Sequence, residues 1–240
     1  LAGSAHSGIV TNWSAAGPPN PYATVGISLI CLVMLSLYYL SSPLLQQALI
    51  DVLGMQPQAI AELIHSDTRS WWNYPAITVI TAVFLHANWL HLAGNLAYLW
   101  VFGLPLESRL GSLPLLFIFI AGGTLANITV ALSLDQLETP IIGASGAVSA
   151  VVGCYLGLLP SRQIGLFLPL GLYLQFAQVP SLLVIGSWFT LQLLYTVFGP
   201  INAEVAWWNH LAGFALGLSL MLLFRALRQF RVQAARSPYE

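Results

Sequence analysis

The sequence predicts an all-α membrane protein: six transmembrane helices in one bundle, with a short fourth helix at the centre. Three observations predict it. Hydrophobic residues make up 58% of the 240-residue chain and charged residues only 6%, against about 25% charge in a water-soluble domain, so most of the surface must face lipid. Apolar runs of spanning length recur along the chain, separated by loops that hold nearly all the charge. Those charges also divide by side. With six spans, Arg109, Arg162, Arg225, Arg228, Arg231 and Arg236 fall on one side, while Arg69 shares the other with Asp51, Glu62, Asp67, Asp135, Glu138 and Glu204. Arginine collects in short cytoplasmic loops, which predicts both termini in the cytoplasm.

The elements follow in order. Residues 1–21 are rich in Gly, Ser, Ala and Pro and have no apolar core, so a flexible segment without a signal peptide is expected. The first span is Tyr22–Leu40. An interrupted stretch, 41–85, contains a short interfacial helix near 57–65, and Trp71, Trp72 and Tyr74 suit a membrane boundary. The second and third spans are Asn88–Leu104 and Ser112–Leu132. The fourth is Ser145–Leu159, the fifth Ser181–Phe198 and the sixth Val205–Phe224. Residues 163–179, broken by Pro169 and closed by Pro180, are expected to be an interfacial or extended connection; a seventh span there would scramble the division of arginines. One domain therefore covers 22–224, and 225–240 is an Arg-rich cytoplasmic tail, an anchor for topology that touches anionic lipid.

Composition also excludes functions. The net charge of −1 offers no field for nucleic acid. Cys31 and Cys154 lie in apolar runs and are expected to be buried thiols. No H-E-x-x-H helix, paired intramembrane aspartates or ligand cluster occurs, so neither a metal nor a cofactor is expected.

The chemistry gathers on two spans. A serine and a histidine are costly in hydrocarbon, yet Ser145 opens the fourth span and His210 sits in the sixth. The fourth span is about 22 Å long at 1.5 Å per residue, short of a hydrocarbon core of about 30 Å. Its N-terminus should therefore lie below the membrane plane, in a cavity. Unpaired N–H groups at that end, with the helix dipole, suit a developing oxyanion. Gly143 and Gly146 permit the turn that enters the helix and the close approach of backbone. Gly146, Ala150, Gly153 and Gly157 form a stripe of small residues, and Gly213-x3-Gly217 answers it in the sixth span. Pressing the stripes together should carry His210, one turn before Gly213, toward Ser145. In the second span His91 and Asn95 share a face at i, i+4, and both offer N–H donors. His86, at the boundary, is expected to hold water or a loop in place.

These pieces, His86-x4-His91-x3-Asn95, Gly103-x3-Glu107, Gly143-x-Ser145-Gly146 and His210-x2-Gly213-x3-Gly217, occur in one order and on the predicted spans. In that arrangement the chain resembles the rhomboid family of intramembrane serine proteases. The resemblance implies a Ser–His dyad, Ser145 as nucleophile and His210 as general base. It implies His91, Asn95 and the Ser145 N–H as oxyanion donors, and His86, Gly143, Gly146, Gly213 and Gly217 as supporting residues. It further implies single-span membrane proteins as substrates, lateral entry gated by the fifth span and the loop 199–206, and a bacterial inner membrane as the location. Glu107 reads as a structural ligand for backbone or arginine. Two departures stand out. Ile77 and Thr78 occupy the places of a frequent Trp-Arg pair. Ser149 stands where an aromatic often stacks on the histidine, leaving it as a packing residue or as a hydroxyl to orient His210. A catalytically silent relative that binds membrane clients, and a small transporter, are the alternatives.

Overall fold

The computed structural model describes residues 20–66, 75–170, 173–198 and 203–236. Residues 1–19, the boundary aromatics Trp71, Trp72 and Tyr74, and loop residues 199–202 lie outside the described residues. In chain order the helices are α1 (Tyr22–Leu40), α2 (Pro43–Leu53), α3 (Pro57–His65), α4 (Thr78–Thr81), α5 (Trp89–Tyr98), α6 (Leu104–Leu110), α7 (Ser112–Ser133), α8 (Ser145–Leu158), α9 (Ser181–Phe198) and α10 (Ala203–Arg236); β1 (Gln163–Leu170) and β2 (Tyr173–Pro180) lie between α8 and α9. Helices α1, α7 and the stretch Trp207–Phe230 of α10 are long and apolar enough to cross a membrane. Helix α8 is apolar but shorter. Leu29 and Val33 of α1, Leu113 and Phe117 of α7, and Leu182 and Leu183 of α9 point outward and are exposed, a hydrocarbon surface suited to lipid.

The all-α expectation needs correction, while the expectation of an extended connection at 163–179 holds. The connection 163–179 is an antiparallel hairpin that pairs Gln163 with Pro180 and Leu170 with Tyr173, so the fold is mostly rather than wholly helical. Pro169 removes a helical donor and Pro180 ends the segment, while the uncharged run between tolerates an extended backbone. Helix α10 runs on to Arg236, because Arg, Ala, Leu and Gln after Phe224 are good helix formers.

Helix α5 passes through a π-helical turn, Leu99–Gly103, into α6. Pro105 accounts for the wide turn: it has no N–H to offer the carbonyl of Val101, and its ring crowds that turn. The helix then continues beyond the expected end of the second span and brings Glu107 to the start of α1. Pro21 gives α1 no side-chain cap, and the buried carboxylate of Glu107 supplies one. It accepts from Ala23 N at 2.8 Å, Thr24 N at 3.0 Å, Thr24 Oγ1 at 2.6 Å and Ser112 Oγ at 2.6 Å. One carboxylate thus pins the starts of α1 and α7 to α6. Burial alone would push its pKa up; the hydrogen bonds from Ser112, Thr24 and the two backbone N–H groups outweigh that and hold it below the usual carboxylate value.

Helix α8 is the centre of the molecule, with Gly146–Tyr155 and Gly157 all buried. Its small residues meet those of α10 backbone to backbone. A Cβ on Gly213 would run into the carbonyl of Gly146, one on Gly217 into that of Ala150, and one on Gly153 into that of Phe214. Across α8, Gly122 and Gly123 of α7 receive the methyl groups of Ala150 and Ala147. The thiol of Cys154 donates to Gly217 O at 3.1 Å and Arg225 Nη1 donates to Gly157 O at 2.7 Å, closing the C-terminal end of α8.

Two outcomes follow. Gly217→Val destabilises the protein by about 1–3 kcal/mol or more through overpacking, read as a lower melting midpoint in detergent, whereas Gly186→Ala, where a Cβ meets nothing within 4 Å, leaves the midpoint unchanged. Glu107→Gln also lowers the midpoint near neutral pH. Because the folded pKa of Glu107 is lowered, its contribution is complete above the unfolded carboxyl value of about 4.3 and fades as pH falls through the folded value, so the two midpoints converge in acid.

Candidate active site

A cavity of about 220 Å³ opens between α5, α8, α9 and α10, lined by Leu90, His91, Gly94, Asn95, Tyr98, Ser145, Val148, Trp188 and His210. Ser145 is the first residue of α8, behind Ala144, which provides no side-chain cap. The first intrahelical bond there is Val148 N to Ala144 O at 2.8 Å, so the N–H groups of the preceding turn are not spent on the helix. The chain reaches Ser145 through Gly143 at φ +134°, a conformation that favours glycine. The entering loop is strapped down by the paired backbone bonds of Met55 and Ile141, at 3.0 and 2.7 Å, and by Gly143 N to Ala82 O at 3.0 Å.

Gly143 also leaves room for His91. A Cβ there would sit 2.7 Å from His91 Cε1, 2.9 Å from Nε2 and 3.9 Å from Ser145 Oγ. The histidine ring and the serine hydroxyl therefore flank one point above the loop. Asn88 caps α5, accepting His91 N at 2.9 Å, and sets the register that turns His91 and Asn95 to the same cavity. Asn95 is buried and its Nδ2 has no hydrogen-bond partner among the described residues. His86 does not line the cavity. Its ring is buried and packs edge-on against His91, centroids 5.1 Å apart at 67°.

His210 enters from α10. It is buried, and among the described residues its Nδ1 has no hydrogen-bond partner and no carboxylate lines the cavity. Gly213, one turn on, lies against the carbonyl of Gly146, and the carboxamide of Asn209 fills the space that a Cβ on Gly146 would need. Ser149 does not orient His210: its hydroxyl turns back to donate to Ser145 O at 2.7 Å, as helix serines do. Thr78 bonds locally to Pro75 O at 2.7 Å, and Ile77 is exposed; the first loop is anchored instead by the strand-like bridge at Met55 and by Thr81 Oγ1 to Leu53 O at 2.7 Å.

Two features escaped the sequence. Asn209 Nδ2 donates to Asn127 Oδ1 at 3.1 Å, and Asn127 Nδ2 donates to Val79 O at 2.9 Å, a buried relay bracing α10 against α7 and α4. An amide in the middle of an apolar span was the available signal. Trp188 is the other; in sequence it is one more aromatic in a lipid-facing run. A hydroxyl, two imidazoles and an amide around one cavity can pair a nucleophile with a base and present N–H donors to an anion.

Comparison with known proteins gives a consistent picture. The chain is 29% identical to the rhomboid protease GlpG of Serratia proteamaculans over 206 residues, 85% of this chain and 62% of that protein. It is 32% identical to GlpG of Salmonella paratyphi A over 152 residues, 62% of this chain and 47% of the other. It is 31% identical to the putative rhomboid protease YdcA of Bacillus subtilis over 93 residues, 39% and 44% of the two chains. The chain thus spans less than two thirds of the length of each of these relatives. The Rhomboid domain model matches residues 68–227, from the first loop through the cavity to the far part of α10, and the chain therefore belongs to the rhomboid family.

Proposed function

We propose that this protein is an intramembrane serine endopeptidase that cuts single-span membrane proteins in or near their transmembrane segment. The observation that carries the reading is the shared cavity: Ser145 and His210, from different helices, line it together with His91 and Asn95. The protease names of the relatives support it. His210 takes the proton of Ser145 Oγ as the oxygen attacks the scissile carbonyl carbon. The resulting oxyanion accepts hydrogen bonds from the Ser145 N–H, Asn95 Nδ2 and His91, donors held in place before the charge develops. His210 passes the proton to the leaving amine, and water then hydrolyses the acyl-enzyme. Asn95 Nδ2, without a partner among the described residues, is available to that oxyanion. A bundle with both termini in the cytoplasm accords with the division of arginines.

The test is co-reconstitution with a single-span reporter and labelling by a fluorophosphonate. Ser145→Ala and His210→Ala abolish both signals; cleavage by either variant at the wild-type rate overturns the mechanism. Asn95→Ala retains labelling and loses about 10²–10³ in turnover. Gly143→Ala, which forces an unfavourable φ and drives a methyl into His91, lowers turnover by about 10², measured as initial cleavage rate at saturating reporter.

A further inference from the structure

The imidazole of His210 must be held at a defined tilt if it is to take a proton from Ser145, yet the usual means of holding it are missing. Its buried Nδ1 has no hydrogen-bond partner among the described residues. Among the described residues no carboxylate lines the cavity. Ser149, one turn along α8 from Ser145, spends its hydroxyl on its own helix. What touches the ring is an indole. The centroids of Trp188 and His210 lie 5.4 Å apart with the planes at 40°, within the range of attractive ring packing.

Trp188 is itself held. Its ring lies 5.6 Å from that of Tyr98 on α5 and 4.9 Å from that of its neighbour Phe189. Phe189 packs edge-on against Phe214 at 4.7 Å and 74°, and against Trp207 at 6.1 Å and 87°. Helix α9 is thus registered on α10 by aromatic rings on either side of His210, where α8 is registered by glycines.

We propose that Trp188 is the positioning residue for His210: its indole, carried on α9, sets the tilt of an imidazole whose Nδ1 has no hydrogen-bond partner among the described residues. This inference rests on the Ser145–His210 reading above. Because the indole rides on a separate helix, the readiness of the base is tied to where α9 stands.

The experiment compares wild type, Trp188→Leu, Trp188→Met and Trp188→Phe in liposomes. It reads the kcat and KM for the single-span reporter, the rate constant of fluorophosphonate labelling at Ser145, and the melting midpoint. Trp188→Leu lowers kcat and the labelling rate together by about tenfold or more, with KM within about twofold; Trp188→Phe keeps both within about threefold, since it retains a ring. If Trp188→Leu does not fold, Trp188→Met, of similar bulk and no ring, is read in its place. Wild-type labelling and kcat in the Leu or Met variant overturn the proposal. So does a loss confined to KM, which makes the indole only a wall for substrate, and so does a Phe variant as impaired as Leu. In each of these cases wild type still cleaves and labels, so the dyad stands; a wild-type protein that does neither overturns the dyad and this inference with it.

Discussion

The contact between α8 and α10 is the constraint on which the rest depends. Neither helix gains from hydrophobic burial against the other when the alternative neighbour is a lipid tail, so their association must come from close van der Waals approach. Gly213 and Gly217 meet the carbonyls of Gly146 and Ala150, and Gly153 meets that of Phe214, so backbone touches backbone over the length of α8. Ser145 opens that helix and His210 lies one turn before Gly213. The same contact that holds the bundle together therefore brings the hydroxyl and the imidazole to one cavity.

Polar groups inside the bundle divide by how they are satisfied. Glu107 is saturated by four donors, and Asn127 and Asn209 are joined to each other and to Val79 O. These networks brace: Glu107 caps α1, and the asparagines tie α10 to α7. Around the cavity the pattern reverses. Asn95 Nδ2 and His210 Nδ1, from two residues that line it, are buried without hydrogen-bond partners among the described residues. Such groups are expensive, and two of them facing one cavity suit a polar occupant there.

Much of this was legible in advance. The bounds read for the first and fifth spans, Tyr22–Leu40 and Ser181–Phe198, are those of α1 and α9, and α7 and α8 end within one residue of expectation, because hydropathy and punctuation by Gly, Pro and charge act locally. The reading stopped short where local rules leave a choice. An uncharged run with two prolines could be any extended connection, and pairing made it a hairpin. The arginines after Phe224 read as tail because charge marks a membrane edge, but charge does not end a helix. The π-helical turn before Pro105 and the cap that Glu107 provides appear only once α1 and α6 are side by side.

By itself, then, the sequence determined that the chain is a helical protein in lipid and that α8 is short, and it singled out Ser145, His210, His91 and Asn95 as candidates for its chemistry, since each is a polar side chain where hydrocarbon would make it costly without a purpose. The tertiary structure alone decided what surrounds them. It turned Ser149 away from His210, set Trp188 against that ring, and linked Asn209 to Asn127. Residues far apart in the chain meet through packing directions that periodicity does not encode, and a tryptophan facing lipid and one facing a histidine have the same sequence signature.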